Sequence, residues 1–268
     1  MKAILIFSFL LSFMLISGCN NSKRVDKNQQ FVKHTDLEAA GLKGKVKSLI
    51  TYQCSLGDSV QFCSVHRKKY NTAGFLVEEL DTSGSDFSSN KYFYNNDGLL
   101  SKVVYSSNDS FLRGNETYYQ YSFSDRKKTV VIRQGSAVID SFVELYDTNG
   151  NEIEWTEGGT KSIKKYDGYG FLVSDKFTKS GETMETTYIN DDKGRILKST
   201  RSDSIVQSFV YNNEGNQIEE TTIVPKGNTT DYLTGYCEFD KNGNFLKQIT
   251  ACKQKKEAIM ERRVIEYY

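Results

Sequence analysis

A short motif recurs along this chain: an aromatic residue, Asn or Asp, two variable residues and a glycine. It first appears at residues 69–79, as KYNTAGFLVEE, and returns roughly every 20 to 30 residues, a period that marks a repeat architecture. A variant copy carries Gly194, with one or two extra turn residues after Tyr188, and a degenerate copy around Phe123 has Lys127 in place of the glycine. In the remaining copies the aromatic lies four residues before the glycine, at Tyr70, Tyr94, Tyr146, Tyr166, Tyr211 and Phe239.

The motif has the chemistry of a β-hairpin. Asn or Asp after the aromatic starts a turn by accepting a backbone hydrogen bond, and the glycine supplies the positive φ that closes the loop. Three residues past the glycine the side chain is aliphatic, with Ser101 as the exception; these positions are Val77, Ile153, Val173, Leu197, Ile218 and Leu246. Polar residues follow them at Glu78, Lys102, Glu154, Ser174, Lys198, Glu219 and Lys247. This alternation indicates strands with one covered face.

The repeated hairpins predict an all-β fold. A single hairpin is not stable alone, so neighbouring hairpins should pair edge to edge. We expect one long, twisted antiparallel sheet of roughly 14–18 strands, an open solenoid in which residues 262–268 form the final edge strand. The content of 17 Tyr, 16 Phe and 20 Gly against 1 Pro suits many strands joined by glycine turns.

The Tyr-Asp-x-x-Gly pattern resembles the YD repeats of the RHS family. The stretch DDKGRIL at residues 191–197 matches the family pattern best, because that pattern continues with Arg and Leu after the glycine. The resemblance covers residues 45–268 and implies hairpins wound into a spiral β-sheet. Large family members close into a shell around a toxin, for which this chain looks too short. It is more similar to small RHS-like lipoproteins of bacterial envelopes.

The N-terminus has the features of a bacterial lipoprotein signal. A basic residue and a short apolar stretch precede LISGC, which resembles a lipobox ending at Cys19. Cleavage before Cys19 would leave it carrying diacylglycerol and further acyl chains such as palmitate, which together hold a protein firmly to a membrane. We therefore predict a signal peptide at 1–18, a flexible tether at 19–40 and the repeat domain at 41–268. The expected location is the cell envelope, with the lipid in the outer membrane.

Four cysteines remain beside the lipid-modified one. An even number in an exported protein suggests disulfides. The segment at 54–63 reads as a hairpin about Gly57-Asp58, so we predict that Cys54 pairs with Cys63. Cys237 and Cys252 are the other candidates, although counting from their turn places them out of register. Free buried thiols are the alternative for both pairs.

Composition and motifs point away from catalysis and from nucleic acid. The net charge of +1 provides no field for nucleic acid, and His34 and His66 are the only histidines, which leaves little for a triad or a metal cluster. We expect no cofactor and no metal. Trp155, in an outward or second-face position beside Tyr146 and Tyr166, could form an aromatic ligand platform. The sequence thus predicts a non-catalytic scaffold that binds a protein or glycan. The alternative is a glycan-processing hydrolase with an unrecognised carboxylate pair.

Overall fold

The computed structural model describes residues 31, 35–56, 63–108, 114–225, 229–254 and 258–268. It contains one short helix, α1 (Asp36–Ala39), and 18 strands. The strands are β1 (Val46–Leu56), β2 (Cys63–Tyr70), β3 (Leu76–Ser83), β4 (Asp86–Tyr94), β5 (Leu100–Ser107), β6 (Asn115–Ser122), β7 (Lys127–Gln134), β8 (Ala137–Tyr146), β9 (Glu152–Glu157), β10 (Thr160–Tyr166), β11 (Leu172–Lys179), β12 (Glu182–Asn190), β13 (Ile196–Arg201), β14 (Val206–Tyr211), β15 (Gln217–Ile223), β16 (Thr229–Phe239), β17 (Phe245–Cys252) and β18 (Ala258–Tyr267).

The strands form a closed antiparallel barrel. Each strand pairs with its neighbours in sequence, and β18 also pairs with β1 over a register that runs from Val46↔Tyr267 to Leu56↔Ala258. The prediction of an all-β chain of consecutive hairpins agrees with this topology. The prediction of an open twisted sheet or solenoid is wrong, and so is that of a C-terminal edge strand. Pairing of the first and last strands removes both edges, which would otherwise leave two rows of unpaired backbone groups.

The motif turns all lie at one end of the barrel, which we call the turn rim. In the first turn, Asn71 Oδ1 accepts hydrogen bonds from the backbone N–H groups of Ala73 and Phe75, both at 3.0 Å. Gly74 has a φ of 89°, and the strand bulges at Tyr70. The same Asx turn and positive-φ glycine recur around the rim, as the motif predicted, and the strands next to these turns also carry bulges.

Two copies of the motif differ from the expected alignment. In the variant copy the turn has the usual length, because Asn190 occupies the position of the aromatic at the bulge and Tyr188 lies earlier on the same strand. In the degenerate copy the left-handed residue is Arg126, with a φ of 48°, whereas Lys127 is the first residue of β7. Lys127 is therefore not the glycine equivalent.

The strands alternate between an inner and an outer face. Cross-strand partners share a face, so the registers can be followed from β1 around to β18 and back without conflict. The aliphatic residues three past each glycine lie on the inner face, and the polar residues that follow them lie on the outer face. Leu37 of α1 packs against inner-face residues Leu49 and Tyr70, which identifies the concave side.

The only cluster of buried apolar side chains in the described chain sits at the turn rim. Its members are Leu37, Leu42, Val46, Leu49, Tyr70 and Leu76. Helix α1 begins with a capping box, in which Thr35 Oγ1 accepts from the backbone N–H of Glu38 and Glu38 accepts from the backbone N–H of Thr35. The predicted tether at 19–40 is thus too long, because residues 36–39 belong to the folded barrel.

Candidate functional site

Tyrosines line the inner face just below the turn rim, one on each even-numbered strand. They are Tyr70, Tyr94, Tyr121, Tyr146, Tyr166, Tyr188, Tyr211, Tyr236 and Tyr267. Several donate a hydrogen bond to the carbonyl two residues past the glycine position of the preceding turn, as Tyr94 does to Leu76 at 2.7 Å and Tyr211 does to Ile196 at 3.0 Å. Burial raises the pKa of Tyr70 to about 12, so this ring stays neutral. This tyrosine belt joins each hairpin to the next.

The N-terminal segment covers part of the tyrosine belt. The Phe31 ring lies 4.9 Å from the ring of Tyr121 and 5.1 Å from that of Tyr146, measured between centroids. The Asp36 carboxylate accepts a 2.7 Å hydrogen bond from the backbone N–H of Leu76 and a 3.3 Å bond from the Tyr94 hydroxyl. The chain therefore enters at the turn rim and occupies space inside it.

Farther from the rim the inner face is polar and carries ion pairs. Lys128 and Glu144 pair at 2.5 Å with side chains only 19% and 11% exposed, whereas the outer-face pair Lys69–Glu78 is 62% and 34% exposed. Burial opposes ionisation of Glu79, but Lys68 and hydrogen bonds from Tyr92 and Asn90 outweigh it, so the pKa of Glu79 lies below its usual value. The inner face therefore offers fixed charges and hydrogen-bonding groups rather than an apolar core.

Ser64, His66 and Asp81 form a hydrogen-bonded chain on this inner face. Ser64 and His66 lie two residues apart on β2, and Asp81 is the cross-strand partner of His66 on β3. Ser64 Oγ lies 3.1 Å from His66 Nε2, and His66 Nδ1 lies 2.5 Å from Asp81 Oδ1. A proton on Nδ1, donated to Asp81, leaves Nε2 free to accept from the serine hydroxyl. This is the connectivity of a nucleophile, a general base and an orienting carboxylate.

The three residues line a cavity of about 560 Å³ that opens at the rim opposite the turns. The His66 and Asp81 side chains are 37% and 38% exposed, so the chain of hydrogen bonds can be reached from solvent. Apart from Phe87, the other lining residues are polar: Thr82, Ser83, Asp86, Ser88, Tyr105, Ser107 and Asn108. We call this cavity, with Ser64, His66 and Asp81 at one side, the serine cleft.

The sequence analysis does not find this cluster, because two histidines in a long chain give little reason to expect a triad. A usable signal is present, since Ser64 and His66 share a face by period-two spacing. Counting outward from the turn glycine Gly74 brings His66 opposite Asp81, as the register shows. Pairing registers, rather than residue counts, carry this information.

The cysteines fall into two different states. Cys54 and Cys63 are cross-strand partners on β1 and β2 and form a disulfide. Cys237 is an exposed free thiol and Cys252 a buried one, so the candidate pairing between them is not made. Cys252 lies opposite Tyr232 in the register, well away from Cys237 along β16. Cys19 and the Gly57-Asp58 turn lie outside the described residues.

The proposed aromatic platform is not formed as predicted. Trp155 lies on the inner face, between Glu144 and Ser162, rather than in an outward position. Tyr146 is on the same face but only 7% exposed, with Phe31 packed against it, and the Tyr166 hydroxyl donates to the Glu152 carbonyl. The Trp155 ring packs against Phe142, which lies farther from the turn rim than Tyr146 and Tyr166. The three rings therefore do not make one exposed surface.

Asp140 and Glu157 form a carboxylate pair on the inner face. A hydrogen bond between their side chains is the main cause of a raised pKa for Glu157. A glycosidase needs its two carboxyl groups about 5–9.5 Å apart, so that a sugar or a water fits between them. Two carboxyl groups that share a hydrogen bond are closer than that, and the pair does not have the geometry of a glycosidase.

Metal-ligand clusters and membrane-spanning helices are both absent from the described residues. In that part of the chain, no three His, Cys, Asp or Glu side chains are grouped so that they could hold a metal ion. Across the same residues, no helix has the length and apolar character to cross a membrane.

Comparison with known proteins gives a fold likeness. No protein-family model and no curated protein matches the chain. The barrel is similar to the crystal structure of a porin-like protein from Bacteroides uniformis, with a TM-score of 0.51 and 10% identity over 84% of this chain and 98% of that one. A Photorhabdus luminescens Tc holotoxin pore aligns with a TM-score of 0.39 and 11% identity, over 78% of this chain and 15% of that one. The chain therefore has a closed all-β barrel fold similar to that of a porin-like protein.

Proposed function

We propose that this chain is a lipid-anchored barrel of the bacterial cell envelope that binds a glycan at its inner face. The anchor is the lipobox cysteine, Cys19, with the acyl chains in the outer membrane. The described chain enters the barrel at the turn rim, through Phe31 and α1, so the anchor would connect at that end. The resemblance to RHS and YD repeats stays a prediction, and it is compatible with a tethered binding protein.

The charges on the outer face favour a tethered barrel over one embedded in lipid. Ion pairs join outer-face residues of neighbouring strands, including Lys69–Glu78, Lys102–Glu116 and Lys161–Glu154. A Lys or Arg facing lipid at the bilayer midplane costs roughly 2–4 kcal/mol, and membrane barrels carry an outward apolar band. An outer face with charges on strand after strand suits water.

The polar inner face is the main observation in support of glycan binding. Hydroxyls, carboxylates and amines alternate there with a few aromatic rings such as Trp155 and Phe142. Sugars present hydroxyl groups that need hydrogen-bonding partners and flat faces that stack on rings.

Trp155 fluorescence provides the test, since it is the single tryptophan of the chain. Oligosaccharides of N-acetylhexosamines, titrated into the purified protein, should change its emission saturably. Lys164 lies on the inner face, paired with Glu152 at 2.8 Å, and Lys165 lies next to it on the outer face. Lys164→Ala should weaken the response while Lys165→Ala should not. An unchanged emission, or equal effects of the two substitutions, would show that the glycan assignment is wrong.

A further inference from the structure

We infer that Ser64, His66 and Asp81 form the active site of a hydrolase for short-chain acyl esters. Ser64 Oγ and His66 Nε2 are 3.1 Å apart, within reach for proton transfer, and Asp81 holds the other ring nitrogen at 2.5 Å. The three groups meet in an open cleft rather than inside a sealed core. This activity goes beyond the proposed glycan binding and contradicts the sequence prediction of a non-catalytic protein.

The reaction has two balanced halves. Ser64 Oγ attacks the ester carbonyl while its proton passes to His66 Nε2, and the C–O bond to the alcohol then breaks as the alcohol oxygen takes that proton. Water next attacks the acyl-serine carbonyl and gives one proton to His66. The Oγ–acyl bond breaks, and the proton returns to Ser64. One ester and one water become one acid and one alcohol, with no oxidation and no cofactor.

A side-chain amide is placed to stabilise the negative charge that forms on the carbonyl oxygen. Gln53 lies directly opposite Ser64 on β1, on the same inner face, and borders the same part of the barrel. The backbone N–H groups around Ser64 belong to sheet ladders, so a side chain must supply the donor. Asn and Gln amides serve in this role in other acyl-transfer sites.

The lining of the cleft defines the substrate class. Serine hydroxyls, Asp86 and Asn108 face a space of about 560 Å³, and Tyr105 is the only inner-face aromatic residue of its lining, because Phe87 lies on the outer face of β4 like Ser89. There is no apolar groove along this lining for a long acyl chain. A polar alcohol such as a sugar fits the hydroxyl-rich wall, and a small acyl group such as acetyl fits beside Ser64. The inferred substrate is therefore an O-acetylated sugar.

The first experiment uses the purified full chain, a fluorophosphonate probe and p-nitrophenyl acetate. The probe should attach to Ser64, as located by peptide mass spectrometry, and the protein should hydrolyse the ester above the rate without protein. Ser64→Ala should lower hydrolysis at least about 100-fold. Ser89→Ala is the matched control, because Ser89 lies on the outer face of β4. Ser89→Ala should leave both readouts unchanged. Labelling needs no variant, so it decides the matter even if Ser64→Ala does not fold.

The second experiment separates catalysis from structural support. Asp81→Asn should lower kcat by about 10² to 10⁴-fold with little change in KM, since it removes the carboxylate that orients the imidazole. Gln53→Ala should lower kcat by about 10² to 10³-fold. Hydrolysis at the rate without protein, probe attached elsewhere, or equal activity of Ser64→Ala and the wild type would each overturn the assignment. None of these outcomes bears on oligosaccharide binding, which the Trp155 titration measures separately.

Discussion

Two glycines in one turn should respond in opposite ways to the same added methyl group. Gly170 has a φ of 85°, and a Cβ built there meets nothing within 4 Å, so Gly170→Ala adds backbone strain alone. A left-handed L-residue costs about 1–2 kcal/mol. Gly168 has open space and no positive φ, so Gly168→Ala should be neutral or stabilise by up to about 1 kcal/mol through the unfolded chain.

At a third glycine, Gly194, an added methyl group should also clash with a neighbouring ring. A Cβ at Gly194 would lie 2.5 Å from the Phe171 ring, on top of a φ of 79°. The order of stability should therefore be Gly168→Ala, then Gly170→Ala, then Gly194→Ala. The first two should differ by roughly 1–3 kcal/mol, or a few to about 10 °C in Tm for a chain of this size. Thermal and urea unfolding followed by far-UV circular dichroism measures both. Equal midpoints for Gly168→Ala and Gly170→Ala would refute the turn geometry.

Four other outcomes are expected. Tyr211→Phe should cost about 1 kcal/mol in urea unfolding, because a carbonyl loses its hydrogen bond; no change would show that the tyrosine belt does not join the hairpins. Cys54→Ala should cost about 2–3 kcal/mol, from the entropy of the loop that the disulfide closes, and dithiothreitol should affect the wild type but not the variant. The pKa of Glu79 is lowered in the fold, so its carboxylate stabilises the folded state above pH 4.5, the ordinary carboxyl pKa, and this stabilisation is lost as the pH falls below that value. Glu79→Gln should therefore make the free energy of unfolding less dependent on acid pH. An unchanged pH dependence would contradict the lowered pKa. Cys19→Ala should move the protein from carbonate-washed membranes to the soluble fraction, whereas retention in the pellet would disprove lipid anchoring.

The local structure of the fold could be predicted from sequence because its signals are local. The Asx residue, the glycine and the period-two alternation lie within about ten residues of each other, so they specify each hairpin and its two faces. The same alternation would have placed Trp155 inside, two residues past inward-facing Ile153. The outward placement of Trp155 is therefore a wrong face assignment, because the sequence pattern itself indicates the inner face.

Closure and the contents of the barrel depend on contacts between distant parts of the chain. Pairing of Val46 with Tyr267 joins the two ends of the domain, and β1 carries no copy of the motif that could announce it. The packing of Phe31 and Leu37 inside the turn rim has the same non-local character. The N-terminal segment is mostly polar and has no hydrophobic period. Nothing in its local sequence indicates that Phe31 and Leu37 pack inside a barrel.

A designed disulfide between the first and last strands reports on closure of the barrel. Tyr52 and Arg262 are cross-strand partners on the outer faces of β1 and β18. Tyr52→Cys combined with Arg262→Cys should form an intramolecular disulfide on mild oxidation, found as a linked peptide by mass spectrometry. Tyr52→Cys combined with Leu233→Cys, on the outer face of β16, is the control and should not cross-link. In a closed barrel the first link should form in high yield and the second should not form. An open sheet would hold β1 and β18 at opposite ends, so absence of the 52–262 link in the folded monomer would contradict the barrel.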